Sequence, residues 1–121
     1  HRTPGHTQGA TLWTTNVQVD GNPYSVAFRG GEIPNRGAPL FDNPRHPTVI
    51  EDTHRTLQRL RELDPPDLFL HNHRQQPVPE LDPTLPVDPR CSTCLDAEGW
   101  TNYMAAVKAS FEARLREPES R

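Results

Sequence analysis

The sequence has few hydrophobic residues and no long hydrophobic run. Hydrophobic types make up 32% of its 121 positions, below the roughly 45–50% of a typical globular domain, a figure that also counts glycine. No apolar stretch approaches the roughly 20 residues of a membrane-spanning helix, so no membrane partner is expected. The length fits one domain, and the small core also fits a piece of a larger one. We therefore expect residues 1–121 to form a single, partial domain.

Neither sign of charge dominates. A net charge of -3 gives no electrostatic footprint for nucleic acid, and no basic run indicates binding to an anionic membrane. The sequence begins at His1 with neither an initiator methionine nor a signal-peptide pattern, so we expect the native start to lie upstream.

Proline, in contrast, is abundant, at 14 of 121 residues, about twice its average share. Residues 29–47 combine three glycines with four prolines and are predicted to form a loop. Residues 74–95 contain five prolines and no periodicity, which predicts a long Pro-rich loop. A structureless connection of that length is uncommon unless it is a functional lid or is disordered.

Strand signals occur in two places. Alternation with period two predicts a β-hairpin over residues 11–28 around turn residues 20–23. One face of its first strand is formed by Trp13, Thr15, Val17 and Val19. The continuous apolar run at 68–70 predicts a strand buried on both faces.

Helical spacing of apolar residues predicts helices over 48–63 and 97–117. Thr48 and Glu51 are placed to form a capping box, and Asp96 is a candidate N-cap. The order hairpin, helix, strand, helix predicts an α/β fold with the helices on one face of the sheet.

The first chemical motif is the segment 3–9, Thr-Pro-Gly-His-Thr-Gln-Gly. Imidazole is the commonest metal ligand among side chains, and a tight Gly/Pro turn at the edge of a strand holds its ring rigidly. His6 is therefore a candidate zinc ligand. The alternative is a histidine in an ordinary surface turn, because one histidine alone does not make a site.

The second motif, His71-Asn72-His73, follows the predicted strand directly. Ligands of α/β sheets gather at the carboxyl ends of strands, so His73 and His71 are candidate ligands. The alternative is a polar strand exit with solvated imidazoles. His46 and His54 are predicted to be an ordinary loop residue and a helix-surface residue.

The third motif is the pair Cys91 and Cys94. Two cysteines at this spacing chelate zinc, form a small disulfide or perform redox chemistry. A structural disulfide or two free thiols is the favoured interpretation. An independent zinc site that also uses His71 and His73 remains open, although the histidines lack zinc-finger spacing.

Four segments, in order, resemble the C-terminal half of metallo-β-lactamases, and most closely the third subclass of class B. Residues 1–13 resemble the family's His-Leu-Thr-Pro-Gly-His-Thr-x-Gly segment, and 43–52 the start of its penultimate helix. Residues 67–73 resemble the strand that delivers its last histidine ligand, and 103–115 its closing helix. The resemblance covers the chain except for the Pro-rich insertion at 74–95.

The resemblance implies the C-terminal half of an αββα sandwich. It implies that His6 completes a three-histidine zinc site and that His73 belongs to a second zinc site of different composition. A complete domain would then hold two zinc ions. The implied reaction is hydrolysis of a β-lactam, or of another cyclic amide or ester, by zinc-bound hydroxide. A periplasmic or secreted location is implied in the same way.

The sequence also departs from the family. The His-x-His-x-Asp-His motif of the N-terminal half is absent, so we expect that half to be a missing partner and the isolated chain to be inactive. Gly31 stands at or near the position where this subclass often has a serine that binds the substrate carboxylate. Arg29 and Arg36 are candidates to bind that carboxylate instead. His71 is a further departure, because this subclass usually has no histidine at that position.

These departures keep two alternatives open. One is another hydrolase of the superfamily, such as a lactonase or thioesterase. The other is a freestanding metal-binding or interaction module that uses His71, His73, Cys91 and Cys94.

A missing half also predicts exposed apolar surface on the isolated chain. The residues expected to be exposed are Leu12, Trp13, Val26, Phe69, Val107 and Phe111.

Overall fold

The computed structural model describes residues 1–71 and 98–117. Its elements are β1 (Trp13–Val19), β2 (Asn22–Arg29), α1 (Val49–Arg61), β3 (Leu68–His71) and α2 (Gly99–Arg116). The strands form a three-stranded sheet in the order β1-β2-β3, and both helices pack on one face of it. The predicted α/β arrangement is confirmed. The Pro-rich loop predicted at 74–95 and the candidate N-cap Asp96 lie outside the described residues.

The predicted hairpin is present. Strands β1 and β2 pair antiparallel from Trp13 opposite Phe28 to Val19 opposite Asn22. Asp20 and Gly21 in the turn both have positive φ, at 51° and 80°. Two consecutive positive φ values are typical of the type I′ turn, whose twist matches that of the flanking strands.

Strand β3 pairs parallel with β2, with Phe69 opposite Ala27 and His71 opposite Arg29. A reciprocal pair of side chains fixes the start of this pairing. The Asp67 carboxylate accepts hydrogen bonds from the backbone N–H (2.7 Å) and hydroxyl (2.8 Å) of Ser25, while the Ser25 hydroxyl accepts one from the Asp67 N–H. These bonds hold the pKa of Asp67 below its ordinary value.

The core lies between the sheet and the two helices. Phe111 and Leu60, one from each helix, are fully buried there. The other buried members are Leu12, Ala27, Leu40, Leu57, Trp100, Met104 and Val107. The stripes predicted for both helices therefore face the sheet, as expected. Within the described part of the chain, no helix is long and apolar enough to cross a membrane.

The opposite face of the sheet, here called the outer face, carries the exposed apolar side chains of the described strands. Trp13, Phe28 and Leu70 form one row across the three strands and are 69%, 44% and 36% exposed. Val17 and Val19 extend the same face along β1. The prediction that β3 is buried on both faces is therefore wrong, because Leu70 lies on the outer face while Phe69 packs against Trp100 and Tyr103.

The predicted set of exposed apolar residues was also largely wrong. Leu12, Val26, Val107 and Phe111 are buried, and only Trp13 of that set is clearly exposed. For Leu12, Val107 and Phe111 the reason is the side they occupy: Leu12 points opposite to Trp13, toward the helices, and α2 turns its apolar stripe to the same side. Val26 is the exception, because it shares the outer face with Phe28 and is nevertheless buried at 3% exposure. The exposed apolar surface of the described residues therefore lies on the outer face and not on the helix side.

The start of α1 differs from the predicted capping box. Thr48 makes no side-chain cap bond, and its φ and ψ of -101° and 21° are not the extended values typical of an N-cap. Its hydroxyl instead donates to Asp52 (2.7 Å), whose carboxylate also bonds Nε2 of His46 (2.8 Å). His46 is a loop residue, as predicted, but it is buried at 6% exposure. His54 is exposed on α1, as predicted.

Candidate functional site

His6 lies at the tip of a closed loop formed by residues 1–12. The ends of the loop pair through Arg2 and Thr11, and the Leu12 N–H donates to the carbonyl of His1 at 2.9 Å. Further in, the Thr3 N–H donates to the Ala10 carbonyl at 2.8 Å. Because these bonds close the loop on itself, the chain presents His6 from a fixed turn and not from a free terminus.

Helix α1 anchors the loop from one side. The buried Thr56 hydroxyl donates to the Pro4 carbonyl at 2.6 Å, and the Arg59 guanidinium donates to the Arg2 carbonyl at 2.8 Å. Neither residue was predicted from the sequence. A signal was available for Thr56, because a hydroxyl on the buried stripe of a helix needs a hydrogen-bond partner.

The segment 30–32 packs against the loop from the other side. A Cβ built on Gly5 would stand 2.2 Å from the carbonyl oxygen of Glu32, and one built on Gly31 would stand 2.9 Å from Cγ of His6. Gly31 also has a φ of +117°, which side-chain-bearing residues rarely adopt. The structure therefore gives Gly31 a packing role against the His6 ring. Its predicted role in substrate binding stays a prediction.

These contacts place half-buried His6 at one end of the sheet. Gly31 follows the last residue of β2, Arg29, by two positions, and Arg29 pairs with the last residue of β3, His71. His6 thus lies beside the carboxyl ends of two parallel strands, where ligands of α/β folds gather. His73 lies outside the described residues, two positions after the end of β3.

Arg29 is held in a buried cluster with Glu32 and Tyr103. Its guanidinium lies over the Tyr103 ring, 4.1 Å from the centroid, and its Nε is 3.2 Å from Oε1 of Glu32. The Tyr103 hydroxyl donates to the other carboxylate oxygen at 2.8 Å. Burial, followed by the negative charge of Glu32, raises the pKa of Tyr103 far above its ordinary value of 10.0. The hydroxyl is therefore a proton donor throughout the physiological range.

Arg36 lies elsewhere, exposed in the loop that Arg114 fastens to α2. The buried Arg114 guanidinium donates to the carbonyls of Pro34 and Ala38. Burial lowers the pKa of Arg114, and the charge of Arg36 contributes in the same direction. The two arginines predicted as substrate-binding candidates thus have different surroundings, since Arg29 is paired and Arg36 is solvated.

A metal site cannot be completed from the residues of 1–71 and 98–117 alone. These ranges contain no group of three His, Cys, Asp or Glu side chains that could hold a metal ion. Within them the His6 ring has no hydrogen-bond partner, as a ligand with a free ring nitrogen requires. Cys91 and Cys94 lie outside the described residues, so the independent zinc site also stays a prediction.

Comparison with known proteins gives a consistent group of folds. No family model matches the chain. Among solved structures, a β-lactamase from Chitinophaga pinensis matches with a TM-score of 0.74 and 24% identity over 96% of this chain and 43% of that one. The FEZ-1 metallo-β-lactamase from Legionella gormanii matches with a TM-score of 0.74 and 26% identity, over 100% of this chain and 46% of that one.

A third structure, the class B3 di-zinc metallo-β-lactamase LRA-12 from an Alaskan soil metagenome, matches with a TM-score of 0.68 and 16% identity over 93% of this chain and 42% of that one. The chain therefore spans less than half the length of the proteins that it matches. The resemblance in the sequence is confirmed: the chain has the metallo-β-lactamase fold in the form of a half-domain, and its structural neighbours are mainly subclass B3 enzymes.

Proposed function

We propose that this chain is the part of a zinc-dependent hydrolase of the metallo-β-lactamase type that supplies His6 and His73 as zinc ligands. One observation carries the proposal. The His6 ring packs against Gly31 just beyond the end of β2, and β3 ends beside β2, two residues before His73. The position of His6 at this edge of the sheet, and the sequence position of His73 two residues after β3, support the proposal.

Covalent geometry supports bringing His73 near His6. Two residues span at most about 7 Å, and this short separation in sequence supports the assignment of His73 to the same site. The neighbour named as a di-zinc enzyme supports two zinc ions per complete domain. His6 is assigned to the three-histidine site and His73 to the second site, as the resemblance implies.

Zinc, when bound, provides a nucleophile at neutral pH and polarises the scissile carbonyl. The chain's own contribution is to hold His6 in place. The Thr56 hydroxyl fixes the loop at Pro4, and Gly31 leaves room for the imidazole without a competing side chain. Because its turn is already ordered, a ligand held in this way loses little further conformational entropy when it binds metal.

The outer face supports a second element of the proposal, a complementary half that carries the remaining ligands. Trp13, Phe28 and Leu70 present apolar surface there, as one layer of a sheet-on-sheet sandwich does. A catalytic zinc needs three protein ligands, and His6 and His73 are only two. The chain alone is therefore expected to be inactive. A periplasmic or secreted location is proposed for the complete enzyme.

A β-lactam is the first substrate class to test, because several neighbours are named as β-lactamases. Two features of this chain make lactones and thioesters the next choices. Gly31 has no side chain to bind a substrate carboxylate, and Arg29 already pairs with Glu32. Arg36 is exposed and forms no ion pair among the described residues, so it remains the candidate for binding a substrate carboxylate.

The test is a chimera in which this chain replaces the matching 46% of the Legionella gormanii enzyme. Hydrolysis of a carbapenem, a cephalosporin, a lactone and a thioester is measured with and without zinc. We expect zinc-dependent turnover of at least one substrate, and a loss on the order of 10–100-fold or more in His6→Ala. His54→Ala, a histidine on the surface of α1, is the matched control. A folded chimera that hydrolyses none of them, or a fully active His6→Ala variant, contradicts the proposal.

A further inference from the structure

We propose that Glu32 is a positioning residue for His6, which it holds in place through the segment 30–32 while the Tyr103 hydroxyl ties that segment to α2. The inference rests on the proposed role of His6 as a zinc ligand. It concerns Glu32 and Tyr103, to which the proposed role of His6 assigns no part.

The chain of contacts is continuous. The Tyr103 hydroxyl donates to the Glu32 carboxylate at 2.8 Å across 71 positions of sequence. The Glu32 backbone carbonyl fills the space where Gly5 would carry a side chain, and the preceding Gly31 packs against the ring of His6. Fixing the Glu32 side chain therefore fixes both backbone surfaces that confine the His6 turn.

Stability alone does not explain a charge at this position. Glu32 is 3% exposed, and its Oε1, 3.2 Å from the Nε of Arg29, has no partner in hydrogen-bond geometry among the described residues. Burying an ion pair with incomplete hydrogen bonding is costly, and replacing such a pair by apolar residues of similar size is often neutral or stabilising. What the carboxylate adds is a directional link between the loop and α2.

The third member of the cluster, Arg29, fits this role. Arg29, at the end of β2, stacks on the Tyr103 ring, so strand, loop and helix meet at one point. Since burial and the Glu32 charge both raise the pKa of Tyr103, its hydroxyl remains a donor and the link persists across the physiological pH range.

The test is solution NMR of the zinc-free chain at a concentration where it is monomeric. The readout is the nuclear Overhauser effect between the His6 ring proton and the Gly31 α-protons. We expect it in the wild type and in Glu32→Gln, whose amide oxygen still accepts from Tyr103. We expect it to be lost in Glu32→Leu and in Tyr103→Phe. Tyr24→Phe, the same substitution on β2, is the control and should retain the signal.

A melting curve separates positioning from stability. The melting midpoint of the double variant Arg29→Met, Glu32→Leu, which replaces both members of the ion pair, is expected to equal or exceed that of the wild type while the His6 signal is lost. Should Glu32→Leu fail to fold, Tyr103→Phe, which removes one oxygen atom, decides the question. Retention of the signal in Tyr103→Phe, or its loss in Glu32→Gln, overturns the proposal. Because no metal is present in this experiment, its result is independent of whether His6 binds zinc.

Discussion

The α-carbon of Gly31 lies against the imidazole of His6, so closely that a β-carbon on Gly31 would stand 2.9 Å from Cγ of the ring. The contact joins the end of β2 to the tip of the loop that carries the candidate ligand. The position of His6 therefore depends on a backbone conformation that only glycine adopts readily, at a φ of +117°.

Gly31→Ala tests this contact. We expect it to lower the free energy of unfolding by about 1–3 kcal/mol from backbone strain alone, and to displace His6 in addition. Gly37→Ala is the control, because Gly37 has a φ of +83° with no atom within 4 Å of the added Cβ. Urea denaturation measures the free energy of unfolding of both variants. Equal losses in the two variants, together with an unchanged nuclear Overhauser effect from the His6 ring, would contradict the contact.

Thr56→Val tests the anchor between the loop and α1. The substitution leaves the partly buried Pro4 carbonyl without its 2.6 Å donor, and an unsatisfied buried acceptor costs at most about 1–3 kcal/mol. Thr53→Val is matched to it, because the buried Thr53 hydroxyl bonds only a carbonyl of its own helix, that of Val49. We expect a smaller cost there, and the reverse order would show that Thr56 does not anchor the loop.

The cluster at the start of α1 predicts a pH dependence. Hydrogen bonds from His46 and then Thr48 hold the pKa of Asp52 below its ordinary value of 3.8. A carboxyl whose pKa is lowered on folding stabilises the protein above its unfolded-state pKa, and this contribution is lost as the pH falls through the folded-state pKa. Asp52→Asn should therefore destabilise the chain at neutral pH, and the difference from wild type should shrink below pH 3.8.

Denaturation at a series of pH values measures this difference. Asp20→Asn, in the exposed hairpin turn, is the control substitution. A difference for Asp52→Asn that stays constant down to the lowest accessible pH would show that the charge of Asp52 contributes nothing.

The outer face predicts association of the isolated chain. A few hundred Å² of exposed apolar surface, at about 25 cal/mol per Å², corresponds to several kcal/mol available for association. Sedimentation should therefore show a concentration-dependent increase in mass, reduced in the double variant Trp13→Thr, Phe28→Thr. Gln18→Thr, on the opposite side of β1, should leave association unchanged. A wild-type chain that stays monomeric at all concentrations would contradict the prediction.

Local patterns predicted much of the fold, for reasons visible at particular residues. Alternation placed Trp13 and Val17 on one face, but periodicity does not tell which face the helices cover, so Leu12 was assigned to the wrong side. The capping box was wrong because Thr48 bonds the Asp52 side chain in place of the backbone.

The candidate site was predictable only in part. His6 follows from its turn and from the resemblance of the surrounding segment. Its supports do not, because Glu32 and Tyr103 are 71 positions apart and no local pattern links them. The role of Gly31 also depends on a tertiary contact, which sequence spacing does not encode.

The number of zinc ions bound by the chimera described above tests the central claim most directly. Native mass spectrometry counts zinc per molecule in the unmodified chimera and in its His6→Ala, His73→Ala, Cys91→Ser and His54→Ala variants. We predict two zinc ions in the unmodified chimera and in His54→Ala, and fewer in His6→Ala and His73→Ala. Two tightly bound zinc ions in His6→Ala, or binding that is lost only in Cys91→Ser, would contradict the account and favour an independent metal site.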